Sequence, residues 1–332
     1  IFIIFVISKQ YKERSNTMEV KDIFELRKQG KIEEAYNAIR PMYAAHKGHY
    51  TTIAMFWIGV DVMRLRYKQR RLEEAYKIFQ SLLRLYPTMD DSSLSGQATL
   101  LRAAMFVFDH NTNFSILNFV LEWDIITKLT DDDWLMSESN GHPVQSLGMR
   151  IVGRVFKEVE GKPTVEMALK AAPILAEALK HSPYNLNNQR YKAMVYSIMG
   201  KRNKAINIYR HLLRTRHKSV LYKELSVLVV EQPLKIALLT RAIATQRDEK
   251  FRQRMRFQLA NMLFNTNTPY PKYEIEKCIS ARKAAKYAIT WEMQNLSNCL
   301  KEVSTASEID HRAFYQAQAA IVEKYVKAID IL

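Results

Sequence analysis

Between Leu186 and Arg256 the chain carries 17 Lys and Arg against four Asp and Glu, a net +13 out of the +16 borne by all 332 residues. Cations at this density neutralise the phosphates or carboxylates of a partner, with an affinity that falls as salt rises. Their positions are ordered. Lys201, Arg202 and Lys204 crowd one turn, and Arg210 and Arg214 lie four apart on the face opposite Tyr209 and Leu212. Arg216 and Lys218 follow, and Arg252 and Arg256 repeat the four-residue step. Four residues is one helical face. These nine are therefore candidate contacts to an anion or a nucleic acid if stacked helices align them on one surface, and solvated helix faces otherwise. No pattern among them reads base sequence, so such binding is expected to follow shape and salt. Tyr191 and Tyr222 fall in the same stretch, where aromatic residues either stack on bases or fill a core.

The other reactive residue types make no constellation. His46 and His49 have no further ligand nearby in sequence, and consecutive Asp131, Asp132 and Asp133 point in different directions without the spacing of a calcium loop. The three carboxylates read better as caps on free helix N–H groups. Gly148 and Gly153 have the spacing of a phosphate loop, but Arg154-Val155 stands where Lys and Ser or Thr are needed. His211 and His217 have no adjacent Ser or carboxylate, and no zinc-protease, CxxC, G-x-S-x-G or dinucleotide motif occurs. Cys278 and Cys299 form no disulfide framework and point to a reducing, cytoplasmic setting. The chain is therefore read as a non-enzyme, with no cofactor and no metal.

The elements that must position the basic residues are short helices. Arg190–Arg214 reads as two helices packed across the turn Gly200-Lys201-Arg202-Asn203. Ala205, Tyr209 and Leu212 keep one face, Ala193 and Tyr196 supply its partner, and Gly200 ends the first helix in the left-handed conformation glycine tolerates. Gly30-x4-Ala35-x3-Ile39 repeats the spacing of Gly200, Ala205 and Tyr209. Ala75-x3-Phe79-x2-Leu82-x4-Pro87 and Ala171-x3-Leu175-x2-Ala178-x4-Pro183 add a terminating proline. With only 9 Gly and 9 Pro the turn content disfavours an all-β fold. The expected class is all-α, an α-solenoid of stacked hairpins. The four segments resemble tetratricopeptide (TPR) repeats, a family whose hairpins place Gly, Ala, an aromatic or aliphatic residue, Ala and Pro at such offsets. That resemblance implies a TPR-like superhelix with a long surface for a peptide or partner helix.

Along the chain, Ile1–Ile7 is apolar but too short to span a bilayer, and no membrane partner is expected. Residues 1–17 are read as a tail or upstream translation, residues 18–303 as the array and residues 304–332 as a C-terminal capping helix. Ile116–Leu129 is expected as one helix, Ser219–Val230 as helix despite its β-branched residues, and Asn265–Tyr273 as a loop. The opening Met18–Ala35, the GHPVQSL of Gly141–Leu147, and Glu249–Ala260 with Tyr273–Glu276 resemble a bacterial family of TPR-like proteins associated with TOTE conflict systems. This resemblance implies a role in defence against invading nucleic acid and carries no catalytic residues. Some members appear with an S1 or cold-shock-like barrel, for which this chain has no strand-rich segment. The expected function is a scaffold for a protein or peptide partner. Its candidate groove contacts are Asn187, Asn188, Gln189 and Lys192. The alternative is RNA or DNA binding through the basic stripe 186–256.

Overall fold

The structure is a computed structural model that describes residues 19–89, 95–266 and 268–328. The N-terminal segment 1–17 lies outside the described residues, as do most of the polar connection after Pro87 and the last four residues. The chain divides into two compact units, Ile1–Glu158 and Val159–Leu332.

The first unit opens with α1 (Val20–Lys28), α2 (Ile32–Ala45), α3 (His49–Lys68) and α4 (Leu72–Leu85). Ala35 and Ala54 are fully buried, and their small side chains bring α2 and α3 together over Ile23, Ile39, Ile58 and Val62. There follow α5 (Ser95–His110), α6 (Ile116–Glu122), α7 (Ile125–Lys128) and α8 (Asp131–Trp134). The single helix expected over 116–129 is broken. Asp124 takes a left-handed φ of 48°, which ends α6 and restarts the chain as α7. The acidic run does cap a helix, since the Asp133 carboxylate accepts from the Thr130 backbone N–H at 3.1 Å in a capping box.

One small hairpin departs from the all-helical expectation. Strands β1 (Ser137–Ser139) and β2 (His142–Val144) pair antiparallel across Asn140-Gly141, both with positive φ. Asn-Gly is the favoured pair for a two-residue hairpin turn, and it stands in the sequence as a signal. Then comes α9 (Leu147–Gly161), which carries both glycines of the rejected phosphate-loop spacing. A Cβ at Gly148 would sit 2.5 Å from the Trp134 ring, so glycine there serves close packing.

The second unit contains α10 (Val165–His181), α11 (Leu186–Ile198), α12 (Arg202–Thr215), α13 (Ser219–Leu228), α14 (Gln232–Thr245), α15 (Glu249–Leu263), α16 (Tyr270–Ala284), α17 (Trp291–Cys299) and α18 (Glu308–Lys327). Sequence neighbours from α10 to α17 pack against one another, so α11–α12, α13–α14 and α15–α16 form successive hairpins. Helix α13 forms where the β-branched residues stood. Helix α16 begins at Tyr270, inside the expected loop, because Pro271 fits the first turn of a helix, where its missing N–H costs nothing.

The turns inside these hairpins share one geometry. Gly30 and Gly200 have φ of 77° and 74°. The next residue's N–H reaches back to the preceding helix, Lys31 to the Leu26 carbonyl at 3.0 Å and Lys201 to the Tyr196 carbonyl at 2.8 Å. This is the Schellman closure of a helix end. The turn between α3 and α4 makes the same closure, Arg71 N–H to the Arg66 carbonyl at 2.9 Å, yet its left-handed position is Arg70 at φ 60°. A side chain in that conformation costs about 1–2 kcal/mol. Replacing the exposed Arg70 by glycine should therefore raise the urea-unfolding free energy by about 1 kcal/mol, and Gly200→Ala should lower it by a similar amount. Equal and unchanged midpoints for both variants would remove this account of the turns.

Candidate interaction surface

The nine basic candidates separate into three groups. Lys201, Arg202 and Lys204 are exposed at the α11–α12 turn. The Lys204 ammonium lies 5.8 Å from the Tyr196 ring centre, and the Arg202 guanidinium donates to the Leu228 carbonyl. Arg216 and Lys218 are exposed in the α12–α13 turn, at the other end of α12. Fourteen helical residues hold the two turns on the order of 20 Å apart.

The remaining cations serve the fold. Arg210 is 6% exposed, donates to the Ala328 carbonyl and stands 5.0 Å over the Tyr325 ring. Arg214 donates to the Val326 carbonyl at 3.4 Å. The face of α12 opposite Tyr209 was expected to be free; instead α18 lies against it. The last carbonyls of a helix lack internal partners, and these two arginines satisfy them where the helix dipole favours cations. Arg252 donates to Glu249 at 2.8 Å. Arg256, 7% exposed, joins Glu249 at 2.8 Å to Glu274 at 2.7 Å.

Glu274 has no solvent exposure. Its second oxygen accepts from the Tyr315 hydroxyl at 2.7 Å and meets His311 Nε2 at 2.7 Å, both on α18. Burial pushes the Tyr315 phenol well above its usual range, so it remains a donor to the carboxylate. His311 also stacks on Tyr273 at 3.7 Å, and Phe314 stacks on Tyr270 at 4.2 Å. Helix α18 thus crosses the second helices of three hairpins, α16, α14 and α12. Its Val322 and Val326 are buried against that face. Helix α14 is buried on both sides in consequence, through Ala237, Leu238, Leu239, Thr240, Ala242 and Ile243.

The first helices keep an open face. Arg190 on α11 pairs with Glu224 on α13 at 2.7 Å, 34 residues away, and Arg27 on α1 pairs with Asp61 on α3 at 2.6 Å over the same separation. Burial pushes the Glu224 carboxyl above its usual range against the pull of Arg190. Tyr209, its own hydroxyl raised by burial, donates to Glu224 at 3.1 Å. Beside this network lies a groove lined by Met194, Ile198, Val227 and Leu228. A second depression on the other side of Val227 is lined by Leu239, Phe257, Met262 and Lys235. Val227 itself is 76% exposed.

Of the expected groove contacts, Asn188 is buried and its amide donates to the Ala178 and Ser182 carbonyls at 3.0 Å each. Gln189 donates to the Pro183 carbonyl at 2.6 Å. Both hold the α10–α11 turn, whereas Asn187 and Lys192 are half-buried on α11. Sequence reasoning named no apolar groove residue, because isolated Met194 and Val227 look like core positions. Among the described residues no helix is long and apolar enough to cross a membrane.

Residues 189–320 match a family described as a domain of unknown function (DUF7017), which is less than half of the chain. No curated protein matches. The solved structures similar to this chain include a tetratricopeptide repeat protein from Parabacteroides merdae ATCC 43184, with 10% identity, 84% of this chain and 96% of that chain covered, and a TM-score of 0.39.

Two measurements check this geometry. Glu274→Ala would leave the buried Arg256 with Glu249 alone and the His311 and Tyr315 polar atoms without their acceptor, and should cost about 3 kcal/mol of unfolding free energy in urea. A loss below about 1 kcal/mol would mean the carboxylate does not organise the cluster. Cys278 is buried, donates to the Gln253 carbonyl at 3.2 Å, and burial pushes its thiol up to about 11. Cys299 is exposed. A disulfide-exchange dye at pH 8 should therefore titrate one thiol per folded chain and two after denaturation.

Proposed function

We propose that this chain is a non-catalytic scaffold of helical hairpins that holds a partner protein by one of the partner's peptide segments, on the first-helix face of the second unit. The observation that carries this is Val227, a large apolar side chain standing 76% exposed between two apolar depressions. The opposite face is already covered by α18.

The chemistry of the rim selects the occupant. Glu224 and the groove-lining Glu160 are both matched by Arg190, at 2.7 and 3.4 Å, while Lys235 lines the second depression and the cationic turn Lys201–Lys204 adjoins the first through the Arg202–Leu228 bond. A segment with apolar side chains flanked by carboxylates fits both features. Asn187 and Lys192 are retained as flanking polar contacts of this reading. The resemblance to TPR-like proteins of bacterial conflict systems supports a partner from such a system, and two unpaired cysteines support a cytoplasmic setting.

Selection of a displayed peptide library on the full chain tests the reading. Enriched peptides should combine apolar residues with Asp or Glu, and bind at least tenfold more weakly to Val227→Glu and to Lys235→Glu. Val227→Glu should leave the unfolding midpoint unchanged, since that side chain faces solvent, and the midpoint of half-buried Lys235→Glu is measured alongside so that lost binding is told from lost folding. Enriched peptides that ignore both substitutions would place the binding face elsewhere and sink the proposal.

A further inference from the structure

The turns that lead from one hairpin to the next emerge on one edge of the second unit. Contacts across successive elements establish this. Ser219 at the start of α13 donates to the Ala242 carbonyl near the end of α14 at 2.7 Å. Gln253 near the start of α15 donates to the Ala281 carbonyl near the end of α16 at 3.4 Å. Lys272 at the start of α16 reaches the Lys301 and Val303 carbonyls beyond α17, so the start of α17 lies at the end of α16. The edge therefore gathers the turns 182–185, 216–218, 246–248 and 285–290.

Two kinds of side chain recur there. Arg216, Lys218, Arg247, Lys250, Lys283 and Lys286 are all exposed. None of them has a carboxylate within ion-pair distance among the described residues. Aromatic side chains are interleaved with them: Tyr184 is 94% exposed, Phe251 59%, Tyr287 40% and Trp291 75%. The Lys250 ammonium lies 5.8 Å from the Tyr287 ring centre. Of the carboxylates on this edge, Asp248 caps α15 and Glu249 pairs with Arg252 and Arg256, which leaves Glu292 and, beside Arg214 and His217, Glu323 of α18, itself 3.9 Å from Lys327. Packed helices are about 8–10 Å apart, so one edge presents a ring and cations at each step of the stack.

We propose that this edge binds single-stranded nucleic acid, with bases stacking on Tyr184, Phe251, Tyr287 and Trp291 while the six cations follow the phosphates. Exposed rings are costly to leave in water and carry no base identity, and cations between them supply the salt-dependent part of the affinity. A bare basic patch would serve a duplex or an acidic peptide as well; rings between the charges serve unstacked bases. In the first unit Lys47, in the turn between α2 and α3, and a 74% exposed Tyr50, in the first turn of α3, show the same pairing of types. This surface differs from the stripe expected over 186–256, because it omits the buried Arg256 and Arg210 and extends to Lys283, Lys286 and Trp291. It is also separate from the Val227 groove.

Fluorescence anisotropy of the full chain with labelled 20-nucleotide oligouridylate and oligothymidylate reads the proposal, with a 20-base-pair duplex and polyglutamate as controls. Measured at 50 mM and 200 mM salt, single strands should bind with micromolar or better affinity and lose at least tenfold across that range. Arg216→Glu/Lys218→Glu/Arg247→Glu should abolish binding and flatten the salt dependence. Tyr184→Ala/Phe251→Ala/Trp291→Ala should weaken binding at least tenfold while leaving the salt dependence unchanged, the signature of lost stacking. Tighter binding of oligouridylate than oligothymidylate, or the reverse, keeps the proposal and names the nucleic acid. Equal affinity for duplex or polyglutamate, or indifference to the aromatic variant, overturns it. Because these residues are exposed, unchanged unfolding midpoints show that lost binding is not lost folding, and Val227→Glu should leave the affinity intact.

Discussion

A carboxylate with no access to water sets the arrangement of the second unit. An isolated ionised Glu274 would be expensive to bury, and it is tolerated because Arg256, His311 and Tyr315 converge on its two oxygens. Two of those three come from α18. The last helix is thereby fixed at its start over α16, and its path takes it across α14 to α12. Arg210 and Arg214 take up its final carbonyls there. The helix expected as a cap at the end of the stack lies along it, and the apolar second side of α14 is the surface it covers.

That arrangement decides which face is left for partners. With the second helices covered, the first helices of the hairpins and the turns at the two edges remain. The Arg190–Glu224 pair ties the adjacent first helices α11 and α13 together, and the Tyr209 hydroxyl ties α12 to the same carboxylate, so the walls of the apolar groove beside them are cross-linked. Walls held in this way would lower the ordering cost of a peptide docking as proposed.

The hairpins were legible in the sequence because their determinants are local. Gly200, Ala205 and Tyr209 lie within ten residues of one another, and the same offsets locate Ala35 between Gly30 and Ile39. Arg70 shows the limit of such reading, since it occupies glycine's place in a turn of identical geometry. The position of α18 was not legible, because Arg210 meets it 118 residues away and Glu274 meets His311 37 residues away. One signal did stand in the sequence. LKIALLTRAIA in α14 sets only Lys235, Thr240 and Arg241 against eight apolar residues, and a helix so nearly apolar all round requires cover on more than one face. Counting charge over 186–256 failed for a related reason, since linear density does not separate Arg256 in an ion pair from Arg216 in solvent.

The distribution of basic residues has a contribution from folding alone. The second helices end at the hairpin-to-hairpin edge, and cations near a helix C-terminus are stabilised by its dipole whether or not a ligand exists. Arg214, Lys283 and Lys286 lie at or just beyond such ends. The dipole, however, makes no demand for aromatic rings. Tyr184 and Trp291 stand outside the core at the same turns, where a polar residue would satisfy the fold equally and stay better hydrated. Cations explained by helix ends and rings explained by nothing in the fold leave the rings as the discriminating feature. The proposed affinity of the edge for bases would therefore depend on Tyr184, Phe251 and Trp291 more sharply than on any single charge.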